Sequence, residues 1–217
     1  MTTSHDAKRS GKSKTLTPEQ LDQVIHHLPS YKHQILALVC RNCACRIQEA
    51  TLLTWDCFRQ DQMTFPYFVT KGRLDTRDIP LAPKFIKTLK EYQRHCQRLK
   101  GEKLTGNDYM FPGRFGFDKP ISTRAFMYAL DEATLKAKIT KFSSHGFRRS
   151  ALTSGNEKGI SLRTLQSISG HKSLTTLQKY LDVSDKQKLE AVKQTHISAD
   201  HGITVEYARY LILILLY

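Results

Sequence analysis

The chain has 217 residues, of which 40% are apolar, and this is enough for one sizeable domain with a hydrophobic core. Lys and Arg number 34 against 20 Asp and Glu, which gives a formal charge of +14. Such a balance favours a polyanionic partner, with nucleic acid as the first expectation and an anionic membrane surface as the second.

The amino-terminal residues 1–15 are polar and basic, and they lack the apolar segment of a secretory signal. We interpret them as a flexible arm that can contact phosphates. Five cysteines, an odd number, together with this amino terminus predict reduced thiols and a cytoplasmic location. The spacing of Cys40, Cys43 and Cys45 resembles part of a zinc site, but no second Cys or His pair follows at the required distance. We therefore expect buried cysteines in a helix and no metal site.

The remainder of the chain predicts a mainly α fold with a small antiparallel β-sheet or hairpin, an α+β domain over residues 16–194. Thr17, Pro18 and Gln20 form a capping-box pattern that begins a helix, and Pro29 ends it. Residues 63–70 and 76–81 are rich in β-branched and aromatic side chains and predict the hairpin. Further helices are expected at about 31–42, from Arg46 to Trp55, and at about 83–99, 122–138, 146–158, 161–169, 173–182 and 185–193, with a loop over 100–120.

The carboxy-terminal residues 195–217 end in the apolar run LILILLY, which is far shorter than the roughly 20 residues of a membrane-spanning helix. Its exposed apolar character suits a docking tail. Two interpretations stay open, docking into a neighbouring subunit and packing against the tail's own domain.

Three short motifs carry groups that suit phosphate chemistry. Arg46 begins a predicted helix, and Glu49 lies one turn later, where a carboxylate can orient the guanidinium. His145 and Arg148 are expected on one helix face, where an imidazole and a guanidinium can serve the same phosphate. The third motif is Gly170-His171, followed nine residues later by Tyr180. Each motif alone occurs often, as a surface ion pair, a chance spacing or an ordinary helical tyrosine.

Taken in order, the motifs resemble those of the tyrosine recombinase, or phage integrase, family. That family has an RxxE helix followed by LxW, a lysine on a β-hairpin, HxxR, GH, and a tyrosine about nine residues later. The matching positions in this sequence are Arg46, Glu49, Leu53 and Trp55, Lys71, His145 and Arg148, Gly170 and His171, and Tyr180. The resemblance covers roughly residues 17–193. Only about 16 residues precede that region, so the chain resembles the short family members, such as the fimbrial phase-switch recombinases.

The resemblance implies the catalytic-domain fold and site-specific DNA recombination by a homo-oligomer, a tetramer on double-stranded DNA. Tyr180 would attack a DNA phosphate and form a 3′-phosphotyrosine, with His145 as its proton acceptor. Arg46 and Arg148 would hold the non-bridging oxygens, His171 would donate a hydrogen bond to the phosphate, and Lys71 would protonate the 5′-oxygen. Glu49 would orient Arg46. Neither a metal nor ATP is expected, because two guanidiniums stabilise the charge and the phosphotyrosine ester conserves the bond energy.

Two alternatives remain at this point. A type IB topoisomerase shares the chemistry but relaxes DNA without exchanging strands. A DNA-binding module with decayed catalysis would keep the fold and the basic surface alone.

Overall fold

The computed structural model describes residues 13–70, 75–179, 181, 188–189 and 191–193. Within these ranges the protein is mainly helical with small antiparallel sheets, which confirms the predicted fold class. The helices are α1 Pro18–His26, α2 Tyr31–Asn42, α3 Ile47–Thr51, α4 Pro83–Lys100, α5 Thr123–Lys136, α6 Ser144–Glu157, α7 Leu162–Ser169 and α8 Leu174–Gln178. The described positions 188–189 and 191–193 are also helical, and they belong to a second compact unit, residues 182–217.

Two sheets accompany the helices. In the first, β1 Phe58–Arg59, β2 Gln62–Phe65 and β3 Arg77–Pro80 pair antiparallel in that order. In the second, β4 Pro112–Gly113 pairs with β5 Gly116–Pro120. This second hairpin lies where a loop was predicted, because strands of two and five residues with no apolar alternation leave no strand signal.

The capping box predicted at the start of α1 is present. The Thr17 hydroxyl accepts a hydrogen bond from the Gln20 amide at 3.3 Å, and the Thr17 amide donates to the Gln20 side chain at 3.1 Å. Both bonds satisfy amides that the helix itself leaves without partners. The sequence therefore predicted this helix start correctly from three residues.

The helix after Arg46 is shorter than predicted. It ends at Thr51, and a 3₁₀ helix follows at Trp55–Cys57. Between them the backbone pairs with a distant segment: the Leu53 carbonyl accepts from the Met110 amide at 2.9 Å, and the Trp55 amide donates to Asp108 at 3.0 Å. These long-range hydrogen bonds replace the helical ones, so the apolar periodicity of the sequence overestimated the length of α3.

The first strand of the hairpin also ends early, at Phe65 rather than Thr70. Pro66 has no amide to donate to a neighbouring strand, and its carbonyl instead accepts from Val69 in a turn at 3.0 Å. The register pairs Phe65 with Arg77, so the end of β2 and the start of β3 lie next to each other at one end of the sheet.

Two apolar clusters hold the described elements together. The larger cluster joins α1 to α6 and the first sheet, and α2 packs on α6 at its centre. The smaller cluster consists of Ala44, Leu152, Leu165 and Leu177 and connects the segment before α3 to α6, α7 and α8. It therefore brings together the segments that carry the Arg46, Arg148 and His171 motifs.

All five cysteines are buried free thiols, as predicted, although only Cys40 and Cys96 lie inside α-helices. A hydrogen bond from the Cys40 thiol to Cys45, together with burial, raises the pKa of Cys40. Within the described ranges, no helix combines the length and the apolar character that a membrane span requires.

Candidate active site

A cavity of about 370 Å³ opens where α3, the start of β3 and the end of α7 meet. We call it the arginine cavity. Its lining residues are Arg46, Glu49, Thr70, Asp75, Thr76, Arg77, Arg163, Gln166, Ser167, Gly170, His171 and Lys172. Four of these side chains are Lys or Arg and two are carboxylates, so the lining favours an anion.

Arg46 and Glu49 form the pair that the sequence predicted. Arg46 is the N-cap of α3, and its guanidinium Nη1 donates to Glu49 Oε1 at 2.8 Å, while its backbone amide donates to Oε2 at 3.1 Å. The Arg46 side chain is 20% exposed and the Glu49 side chain 1%. The carboxylate is therefore a buried support, and the guanidinium keeps access to the cavity.

Arg77 is a member of the site that the sequence reasoning missed. Its Nη2 donates to Glu49 Oε2 at 3.1 Å, so one buried carboxylate lies between two guanidiniums. Burial raises the pKa of Glu49, but the charge of Arg77 and the hydrogen bonds from Arg46 outweigh it and hold that pKa below its ordinary value. The three groups together keep one net positive charge at the cavity.

Arg77 also fixes the geometry around it. Its guanidinium lies 4.7 Å from the centre of the Phe65 ring and packs against Gly170, where it fills the space that a Cβ would occupy. Its Nε atom is buried without a hydrogen-bond partner in the described structure. A sequence signal was available, because Arg77 lies two residues before buried Ile79 on β3 and so shares the inner face of the sheet with it.

Arg148 lies behind the cavity rather than in its lining. It is 0% exposed, and its Nη1 donates to the carbonyl of Ala44 at 2.8 Å. Ala44 has a φ of 45°, a left-handed conformation that is rare for alanine, and its carbonyl is held by this bond. Burial, followed by the charge of Arg46, lowers the pKa of Arg148 to about 10, which leaves it charged at neutral pH.

Arg148 also contacts His171. Its Nη2 lies 3.1 Å from both ring nitrogens of His171, and an in-plane atom at those two distances would collide with Cε1. The guanidinium therefore rests against the face of the imidazole ring. Burial, then the charges of Arg148 and Arg46, lower the pKa of His171 to about 3, so the ring is neutral at neutral pH.

The last turn of α7 positions His171. The Ser169 hydroxyl lies 2.7 Å from Nδ1 of the ring, and the Gln166 side chain donates to the His171 carbonyl at 2.9 Å. Gly170 ends the helix in the left-handed conformation, with a φ of 67°. The end of α7 thus positions the ring and the carbonyl of His171 and sets the direction of its backbone.

The remaining predicted site residues are not brought into the cavity lining. His145 lies in the first turn of α6 and is exposed, while Arg148, one turn later, is fully buried. The two side chains, which we expected on one helix face, therefore differ in exposure. Lys71 and Tyr180 lie outside the described residues, and their roles stay predictions. Thr70 and Asp75, on either side of the 71–74 connection, both line the cavity.

Comparison with known proteins adds a family context. A model described as "Phage integrase family" matches residues 14–187. The sequence is 27% identical over 187 residues to the tyrosine recombinase XerA of Pyrococcus furiosus, covering 85% of this chain and 62% of that protein. The chain thus spans less than two thirds of the length of that curated relative.

Solved structures share the fold. The XerH site-specific recombinase bound to its difH substrate has a TM-score of 0.64 at 22% identity, covering 82% of this chain and 53% of that one. The catalytic domain of bacteriophage HP1 integrase has a TM-score of 0.57 at 16% identity, covering 87% of this chain and 98% of that one. These likenesses show that the fold is that of tyrosine recombinase catalytic domains.

Proposed function

The chain belongs to the phage integrase family, and from that premise we propose that it cleaves and rejoins DNA strands at specific sites through a phosphotyrosine intermediate. The observation that carries this proposal is the arginine cavity, where buried Glu49 supports Arg46 and Arg77 beside a neutral His171. Guanidiniums that are held in place before the reaction stabilise the charge that develops on phosphate oxygens. The XerH relative was solved with its DNA substrate, which supports double-stranded DNA as the partner.

Each proposed step has a group in this chain. The Tyr180 oxygen forms a bond to phosphorus and passes its proton to His145, while Arg46 holds a non-bridging oxygen and His171 donates a hydrogen bond to the phosphate. The bond from phosphorus to the 5′-oxygen breaks, and Lys71 supplies the proton of the new 5′-hydroxyl. Attack by a 5′-hydroxyl of another strand reverses these steps and releases Tyr180. The chemistry is complete without a metal ion or ATP.

The proposed role of Arg148 includes support of His171. Its guanidinium is fully buried against Ala44 and the His171 ring, so it supports His171 directly and adds positive charge from behind. With DNA bound, Arg148 would hold a non-bridging phosphate oxygen, as the family resemblance implies. Assembly as a tetramer on DNA belongs to the same proposal.

The test is covalent trapping on a library of nicked genomic DNA fragments, in which the short segment that carries the new 5′-hydroxyl diffuses away after cleavage. Denaturing gels then reveal protein joined to DNA. We expect adducts from the wild-type protein and none from Tyr180→Phe. Tyr128→Phe, which alters an exposed phenol on α5, is the matched control and should form adducts normally.

An adduct from Tyr180→Phe would overturn the assignment of the nucleophile. A wild-type protein that retains DNA without forming an adduct would instead be a DNA-binding module with decayed catalysis. Sequencing of the trapped fragments separates the remaining alternative, since a relaxing topoisomerase would cleave without a shared target sequence.

A further inference from the structure

The start of α6, the helix that carries His145, is completed by a residue from the amino-terminal part of the chain. Ser143 is the N-cap of α6, and its own side chain makes no capping hydrogen bond in the described structure. Its backbone amide instead donates to the hydroxyl oxygen of Ser13, across 130 residues of chain, at 3.1 Å. The half-buried Ser13 therefore satisfies one of the amides that the start of a helix leaves without a partner.

The first turn of α6 contains a glycine that explains this distant acceptor. In a capping box the third helical residue reaches back to the N-cap amide with its side chain, as Gln20 does at the start of α1. In α6 the third helical residue is Gly146, which has no side chain. A Cβ on Gly146 would lie 2.8 Å from the Ser13 hydroxyl oxygen, which is closer than real contacts allow. Ser13 thus occupies the space of the missing side chain and supplies the acceptor in its place.

The rest of this helix start combines local and distant contacts. Phe142, the residue before the N-cap, is buried, and its ring packs on that of Phe147, the fourth helical residue, with ring centres 5.0 Å apart. This contact is a hydrophobic staple, which fixes the angle at which the chain enters a helix. Lys141 has a left-handed φ of 57°, and its carbonyl accepts from the Lys14 amide at 2.8 Å. Ser13 and Lys14 therefore hold both the N-cap and the loop before it.

His145 is the second residue of α6 and is exposed, so the direction of the first turn decides where its imidazole lies. We propose that Ser13 is a positioning residue, which caps the Ser143 amide and so holds His145 where it accepts the proton of Tyr180. This inference rests on the proposed function for its purpose, while the cap itself is a property of the DNA-free protein. Without the hydroxyl, the Ser143 amide loses its acceptor and the first turn frays more often.

Amide hydrogen exchange of the full chain, recorded without DNA, tests the cap. We expect the Ser143 amide to exchange about three- to tenfold faster in Ser13→Ala than in the wild-type protein, the equivalent of one hydrogen bond. Ser13→Thr, which keeps the hydroxyl, should restore slow exchange. Ser122→Ala is the matched control, because the Ser122 hydroxyl accepts from an amide at the start of α5 at the same distance, 3.1 Å. It should leave exchange of the Ser143 amide unchanged.

Single-turnover cleavage at saturating protein, on a target taken from the trapped fragments, tests the positioning of His145. We expect Ser13→Ala to slow cleavage about three- to tenfold with unchanged DNA affinity. Ser122→Ala, which loses a comparable helix cap, should cleave at the wild-type rate. In a His145→Ala background, Ser13→Ala should cause no further loss, because its effect passes through His145.

Equal exchange of the Ser143 amide in the wild-type protein and in Ser13→Ala would overturn the inference, whether or not the protein cleaves DNA. The inference also fails if Ser13→Ala slows cleavage as much in the His145→Ala background as in the wild type, since Ser13 would then act elsewhere. Faster exchange with an unchanged cleavage rate counts against it too, because the cap would not position the base. Absence of cleavage by the wild-type protein would count against the proposed function alone, because exchange is measured without DNA.

Discussion

Glu49 is the residue on which the geometry of the arginine cavity depends. Its carboxylate accepts from the Arg46 guanidinium and amide and from Arg77, and the side chain is almost fully buried. A buried ion pair adds little stability compared with apolar residues of the same shape, but removing one partner leaves the other charges buried without compensation. Glu49 is therefore a sensitive position for both stability and the proposed reaction.

We predict that Glu49→Gln lowers the free energy of unfolding at pH 7 by about 3 kcal/mol, because two guanidiniums lose their counter-charge. The folded-state pKa of Glu49 is lowered, so its stabilisation is fully present above the ordinary carboxyl pKa of 4.5. It is lost as the pH falls through the folded-state value. Urea unfolding of both proteins between pH 7 and pH 3 should therefore show a difference that shrinks in acid.

The control for this prediction is Glu132→Gln, which alters an exposed carboxylate on α5 and should leave stability nearly unchanged at every pH. A difference between wild type and Glu49→Gln that stays constant down to pH 3 would contradict the ionic explanation. It would indicate a packing effect instead.

Among the elements, α7 ends at a position where glycine is required for two separate reasons. Gly170 has a φ of 67°, which L-residues rarely adopt, and the Arg77 guanidinium occupies the position of the missing Cβ. Gly101 ends α4 with a similar φ of 75°, but no atom lies within 4 Å of its Cβ position. Substitutions at these two glycines therefore separate the free-energy cost of the backbone conformation from the cost of a clash with Arg77.

We predict that Gly101→Ala destabilises the protein by about 1 kcal/mol, from the left-handed conformation alone. Gly170→Ala should cost about 1–3 kcal/mol more, because the new methyl group must displace Arg77 from Glu49. Thermal or urea unfolding of the two variants measures this difference. Equal losses would mean that Arg77 moves away freely and does not hold the cavity in shape.

The whole molecule carries a charge of +14, and part of that charge lies around the arginine cavity, both inside it and at its rim. Arg163 is exposed at that rim on α7, while Arg98 is exposed on α4 and is not among the residues that line the cavity. A cation that contacts a DNA phosphate releases a counterion, so its removal changes the salt dependence of binding.

Affinity falls as the salt concentration rises. We predict that Arg163→Ala makes the slope of log affinity against log salt concentration less steep by about 0.9, the contribution of one phosphate contact. Arg98→Ala should leave the slope unchanged. Fluorescence anisotropy with a labelled duplex between low and moderate salt measures both. The same slope for the two variants would place the phosphate backbone away from this rim.

The fold class, most helix positions and the family could be predicted from the sequence alone, because each cap, each apolar period and each motif involves residues close together in the chain. It also predicted the Arg46–Glu49 pair, which spans a single helical turn. The lengths of α3 and of the first hairpin strand were wrong, since long-range backbone bonds and Pro66 ended them earlier.

The assembly of the site depends on contacts between segments that are far apart in the chain. Arg77 reaches Glu49 across 28 residues of chain, and Arg148 reaches Ala44 across 104. The burial of Arg148 behind His171, and the contact of Arg77 with Gly170, follow from the packing of α7 against α6 and against β3. Such contacts have no local signature, because the free energy that selects them comes from burying distant segments together.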